Sequence, residues 1–318
     1  MSRFQGGETF HRAAAVVLTG LLAACGGDQQ KAAVPQEGIA IAQVPAVPAT
    51  AEPVVSPTTD AGTPVKRTNV AYKEADAVFR KGHYQEAAEL FTVYTEENPN
   101  DGFGFYMLGL STWKSGDHAG AEKALTRAAE LNGESVKVRT NLGRVLLEQG
   151  RATEALPHLE KAIELEPESF EVWRVMGNVQ AQLNHSTDAL ESYRQALIRN
   201  VQDAWSMNNY GLVLIQQGRY QEALPPLARA VELMPRSAKF QNNLGIALEG
   251  SGFLNSARLA FSAALDADST FAKARVSLER VQKNLGGMES EPLDLSVFAR
   301  TFMDEIDRWR AVPGTDLK

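Results

Sequence analysis

Cysteine and histidine are scarce: one and five respectively in 318 residues, spaced so widely that no pair or triad has the ligand spacing of a metal site. Basic residues are not in excess either. Lys and Arg number 32 against 39 Asp and Glu, giving a net charge of −7, and no dense basic run occurs. Phosphate neutralisation has little to work with, so nucleic acid is not an expected partner. No apolar run reaches the roughly 20 residues of a membrane-crossing helix. Phosphate-cradling glycine loops, metal-ligand helix motifs and a serine, histidine and acid set with a supporting context are all missing, so no catalytic activity, cofactor, metal or small-molecule substrate is expected. The abundant carboxylates, Glu160 and Glu164 for example, recur at helical spacing and read as solvated faces. His83, His118, His158 and His185 fall in turns or on different helix faces and are expected in solvent.

The N-terminus reads as an address. Arg3 and Arg12 give a basic start, and Ala13 to Ala24 form an apolar run too short to span a bilayer. Residues 1–24 are expected to be a signal peptide. The run ends Leu22-Ala23-Ala24-Cys25, which resembles a bacterial lipobox. That resemblance implies cleavage before Cys25 and acylation of its thiol, and multiple acyl chains at about 0.8 kcal/mol per buried methylene give durable membrane attachment. Cleavage leaves no second thiol for a disulfide, so the fold must hold by packing alone. Gly26 is not the aspartate associated with inner-membrane retention, so in a cell with two membranes the outer one, facing the periplasm, is favoured. Residues 25–67 are rich in Ala, Val, Pro and Thr with no helical period, and are expected to be a disordered tether. About 40 flexible residues span on the order of 35 Å.

From Thr68 the chain repeats itself. With Val136 as position one, Gly143 stands at position eight, Gly150 at fifteen, Ala155 at twenty, Leu159 at twenty-four and Pro167 at thirty-two. A shift of 34 residues preserves the frame. Position eight becomes Ala75, Gly109, Gly177, Gly211 and Gly245, and position twenty becomes Ala87, Ala121, Ala189, Ala223 and Ala257. Six copies cover 68–101, 102–135, 136–169, 170–203, 204–237 and 238–271 without insertion or deletion. Each reads as two helices broken by a turn at positions fifteen to seventeen, Gly116-Asp117-His118 for example. Small side chains at eight and twenty let the helices approach, and large ones at twenty-four fill the space beside them.

A 34-residue period with this alternation resembles the tetratricopeptide repeat. The resemblance implies an all-α fold: a right-handed superhelix, or α-solenoid, of six helix-turn-helix repeats. It also implies that the first helices line a concave groove, with positions two, five, six, nine, twelve and thirteen available to a ligand. Those positions give Phe103, Tyr106, Leu110 and Trp113 in the second repeat and Trp205, Leu212 and Ile215 in the fifth, which are open either to a partner or to packing between repeats. Arg144 and Asn178 occupy position nine of the third and fourth repeats. Asn141, Asn209 and Asn243 at position six, with Asn208 and Asn242 beside two of them, are similar to the asparagine ladder of some members, whose amides hold a peptide backbone. Asparagine there is also common in ordinary repeats. A surface ladder predicts that alanine at Asn209 and Asn243 weakens a bound peptide and leaves thermal unfolding nearly unchanged. The residue pattern of a carboxylate clamp is not reproduced, so a free peptide C-terminus is not the expected ligand.

Three local features depart from the frame. The fourth repeat has Asn184 in place of the turn glycine, which predicts a bend or a frayed turn. Pro157 and the pair Pro225-Pro226 fall near the starts of second helices, where some amides have no intrahelical acceptor. After the repeats, residues 272–286 read as a capping helix with an apolar stripe of Ala274, Leu278, Val281 and Leu285. Residues 293–311 place Phe298, Phe302, Ile306 and Trp309 on one face of an amphipathic helix, with Ser296 as its cap. That face is open to the chain's own array, to the concave groove or to a partner.

The function expected is a membrane-anchored, non-catalytic scaffold that binds a protein, peptide or helix in its groove during cell-envelope assembly. Resemblance to outer-membrane tetratricopeptide lipoproteins leaves open a role like that of pilotins for type IV pilus secretins. A regulatory subunit of an envelope enzyme is the reading from another class.

Overall fold

The computed structural model describes residues 70–285 and 291–311. The signal peptide, Cys25, the tether, the first two residues of the first repeat and Gly286 lie outside the described residues. Within them all regular structure is helical, in fourteen helices.

The helices come in pairs that keep the 34-residue register. The first of each pair are α1 (Tyr72–Arg80), α3 (Gly102–Lys114), α5 (Val136–Glu148), α7 (Phe170–Gln182), α9 (Ala204–Gln216) and α11 (Ala238–Gly250). Their partners are α2 (Tyr84–Glu97), α4 (His118–Leu131), α6 (Ala152–Leu165), α8 (Ser186–Arg199), α10 (Tyr220–Leu233) and α12 (Leu254–Ala267). We call these the A and B helices. Three of the A helices start on a capping side chain. The side chains of Asp101, Ser135 and Ser237, at the last position of their repeats, accept the amides of Phe103, Val138 and Phe240, satisfying donors that a helix start leaves orphaned. Each A helix ends where position fifteen turns left-handed. At that position Asn184 takes φ 61°, in line with φ 78° at Gly150. The bend expected in the fourth repeat is not found: α7 and α8 have the 13 and 14 residues of their neighbours, because asparagine adopts this backbone region at small cost.

The prolines are accommodated differently from expectation. Pro157 is the sixth residue of α6, a turn beyond the orphaned amides, and Pro225 and Pro226 are similarly inside α10. The helices nevertheless run through, and the lost backbone bonds are offset by packing of the repeat.

The core lies along the seam between A and B helices. Position twenty-four is fully buried in Phe91, Leu125, Leu159, Tyr193, Leu227 and Phe261, and a Cβ added to Gly177 would stand 2.6 Å from the Tyr193 ring. Contacts join helices adjacent in the chain and A helices of successive repeats, the nearest-neighbour pattern of a solenoid. α13 (Ala272–Leu285) covers α12, burying Ala274 and Val281, and its Arg280 makes two 2.7 Å bonds to Glu249 of α11.

α14 (Leu295–Ala311) breaks the nearest-neighbour rule by folding back onto α8 and α10. Of the three destinations open to its apolar face, the chain's own B helices are the one occupied. Phe302 and Ile306 share a buried cluster with Leu197, Met207 and Ala230, and Tyr210, Phe302 and Trp309 form an aromatic triad with centroids 5.7–6.0 Å apart. Its start is capped by Asp294, whose carboxylate accepts the Ser296 amide at 3.0 Å, and not by Ser296 itself.

Candidate binding surface on the A helices

Residues 103, 106, 110 and 113 recur at three and four along α3 and therefore share one of its faces. Phe103 is 58% exposed. Its ring lies 5.7 Å from Tyr72 of α1 and 5.9 Å from Tyr106, both at shallow interplanar angles, so three aromatic rings tile the A helices of the first two repeats. Tyr72 was not legible as a site residue, because it sits at position five of a repeat whose start carries no aromatic signal. Its ring is held edge-on by Phe91 and Tyr94.

The row continues into polar groups. Asn141 of α5 donates to the Tyr106 hydroxyl at 3.1 Å, and its amide oxygen accepts from Arg144 at 3.0 Å. Burial raises the Tyr106 pKa, while Arg144 and Asn141 pull against it. Arg144 is half-buried, and among the described residues no carboxylate lies within ion-pair distance of it. Burial and the charge of Arg174 both press its pKa below the ordinary guanidinium value, and the more distant Glu171 and Glu148, with Tyr106, offset that only in part. Lys114 is likewise depressed, by burial and then by Arg144. This half-enclosed positive charge is suited to an incoming carboxylate. Beyond it, Leu110 is half-buried, and the Trp113 indole donates to Glu148 at 2.6 Å. His118, expected in solvent, is partly exposed and places Nδ1 3.3 Å from the same carboxylate.

The asparagines turn inward. Asn242 donates to Asn243 at 3.4 Å, Asn243 to Asn208 at 2.9 Å, Asn208 to Asn209 at 3.0 Å and Asn209 to Asn178 at 2.8 Å. The Tyr193 hydroxyl closes the series on the Asn178 oxygen at 2.8 Å. One polarised chain of amides thus stitches the sixth repeat to the fourth, and every member is buried. Asn178, Asn208, Asn209, Asn242 and Asn243, expected on the groove surface, are buried beneath it, as is Asn141, because pairing amides across repeats satisfies groups that no water reaches; the Asn242 oxygen is the exception and has no hydrogen-bond partner among the described residues. For Leu212 and Ile215, open to a partner or to packing, packing is the outcome: both are core residues. Trp205 is half-buried, stacked edge-on to Phe240 at 4.9 Å, so it is largely used in packing between repeats.

A further network was missed. Arg174 of α7 donates to Asp203 at 2.7 Å, both buried, and Asp203 also accepts from Ser206 at 2.6 Å. Asp203 stands at the helix-start position that Ser135 and Ser237 use as caps, but makes no capping bond of its own. The 34-residue frame shows the acid at that position without showing its use.

A tetratricopeptide repeat model matches residues 106–170, 174–238 and 211–272, just over half of the chain. Among solved structures, the Cut9–Hcn1 hetero-tetramer of the APC/C is 18% identical, with a TM-score of 0.59 over 65% of this chain and 41% of that one. The pilF protein of Pseudomonas aeruginosa is 16% identical, with a TM-score of 0.53 over 65% of this chain and 91% of that one. A thermophilic tetratricopeptide protein of Thermus thermophilus is 19% identical, with a TM-score of 0.50 over 57% of this chain and 99% of that one. These likenesses concern the fold. No curated protein matches the sequence.

Proposed function

We propose that this chain, which belongs to the tetratricopeptide repeat family, holds an extended segment of a protein partner along its A helices while lipidated Cys25 tethers it to a bacterial envelope membrane. Family members bind proteins or peptides, and the observation that carries the reading is the ring row Tyr72, Phe103 and Tyr106, exposed at Phe103 and half-buried at the other two, running into Arg144, a half-buried cation with no carboxylate within ion-pair distance among the described residues. The partner segment offers an aromatic or apolar side chain to the rings and an acidic side chain to the guanidinium. The apolar run ending in Leu22-Ala23-Ala24-Cys25 supports the tether, and Gly26 favours the outer membrane where there are two. The chain itself supplies no catalytic group in this reading.

Peptide display against the full chain provides the test. Selected peptides should carry an acidic residue within a few positions of an aromatic one and lose at least about tenfold in affinity on Arg144→Glu, a loss expected when a charge-assisted pair becomes a repulsive one. Equal binding by the wild type and the variant at an unchanged melting temperature would exclude the site.

A further inference from the structure

Three repeats separate two equivalent stretches of the B-helix side, and one of them is already occupied. α14 lies on α8 and α10, where its Phe302 and Ile306 meet Leu197 and Met207 and its Trp309 meets Tyr210. The same frame positions in the first two repeats are Thr95, Phe105 and Leu108, and they line an open cleft of about 840 Å3 between α2 and α4. Phe105, Leu108 and Thr112 recur at three and four on α3, offset by two residues, about 200° around the helix, from Phe103 and Tyr106. The cleft is therefore on another side of α3 from the aromatic row. Its threonines present little free polarity: Thr92, Thr95 and Thr112 each donate to a carbonyl of their own helix, at 2.8, 2.9 and 2.8 Å.

Charge separates the two copies. Arg194 and Arg219, both near Tyr210 in the occupied copy, are replaced by Thr92 and Asp117 in the open one, and Leu224 is replaced by Glu122, which pairs with Arg151 of the third repeat. Glu96, which stands where the occupied copy has Ile198, adds to the acidic rim against Lys123, while Glu130 is paired with Arg127 at 2.9 Å as Glu232 is with Arg229 in the occupied copy. α14 carries Asp304, Glu305 and Asp307 and lies on the copy that bears Arg194 and Arg219, each of which also has a carboxylate of its own at 2.7 Å, Glu191 and Glu222. From this internal equivalence we infer that the cleft between α2 and α4 is a second docking site, taking an amphipathic helix of a partner protein with large apolar residues at helical spacing and a basic flank. It does not depend on the A-helix reading above, since it uses a different face.

The probe is a synthetic peptide of residues 291–311 bearing Asp304→Lys, Glu305→Lys and Asp307→Lys, with benzoylphenylalanine in place of Met303, added to the full chain. Saturable binding with crosslinks to α2 and α4 is expected, together with at least about tenfold weaker binding of the unmodified acidic peptide. Glu96→Lys with Glu130→Lys should weaken the basic peptide about tenfold at an unchanged melting temperature, and Leu108→Arg should abolish its crosslinks. Crosslinks confined to α8 and α10 would show that the peptide merely displaces α14. Crosslinks to Tyr106 or Trp113 would place it on the A-helix face. Either result overturns the proposal, as do an absence of saturable binding and a concentration-dependent dimer of the chain alone that Leu108→Arg dissolves.

Discussion

At the residue scale, position eight sets how closely two helices of a repeat pack, and the cost of filling it depends on whether the opposing side chain can yield. A Cβ on Gly177 would meet the Tyr193 ring at 2.6 Å, and that ring is pinned by its hydroxyl bond to Asn178. A Cβ on Gly143 would meet the end of Leu159 at 2.9 Å, a buried side chain with no hydrogen bond to anchor it. Gly177→Ala should therefore destabilise by roughly 1–3 kcal/mol and Gly143→Ala by clearly less, read as shifts of the urea midpoint at constant slope. Asn209 gives a second residue-level prediction. Its amide accepts from Asn208 and donates to Asn178, and all three are buried. Asn209→Ala leaves the Asn208 donor without that partner, so it should cost about 1–3 kcal/mol of stability. An amide at the surface would show no such loss.

At the element scale, the repeats and the two-helix unit were legible because glycine, alanine and large apolar residues recur in a fixed frame. What lies on the surface was less legible. Positions five, six and nine face the ligand side only where the neighbouring repeat leaves them uncovered, which is true of Tyr106 and Arg144 and untrue of Asn208 and Leu212. The face of α14 was readable from its spacing, but its destination was not, since an amphipathic pattern names the buried side of a helix and not what it is buried against. Its docking should respond to acid. Burial, with Glu222 nearby, raises the Glu305 pKa, and Arg308 opposes the shift. A carboxyl with a raised folded-state pKa binds protons more readily when docked, so its contribution is fully present below the unfolded value and is lost as pH rises through the folded one. Hydrogen exchange over residues 295–311, corrected for intrinsic rates, should show tighter docking as pH falls from 7 towards 5, and Glu305→Gln should flatten that dependence.

At the scale of the described array, stability is a sum of repeats and their interfaces, and the sum is uneven. α14 ties the fourth repeat to the fifth and the amide chain joins the fourth to the sixth, whereas the first two repeats have only neighbour contacts. Residues 72–131 should accordingly exchange and unfold at lower urea than residues 170–267, and deleting residues 293–318 should narrow the gap. The aromatic row and Arg144 lie at or beside that looser end, where ordering on a ligand costs least rearrangement of the rest. That a partner occupies this face is tested by photo-crosslinking in the native cell, with benzoylphenylalanine replacing either Phe103 or, on α12, the exposed Leu259. A discrete adduct from position 103 that is missing from position 259 and disappears with Arg144→Glu is the predicted result. The same adducts from both positions, or an adduct at 103 indifferent to Arg144→Glu, would contradict it.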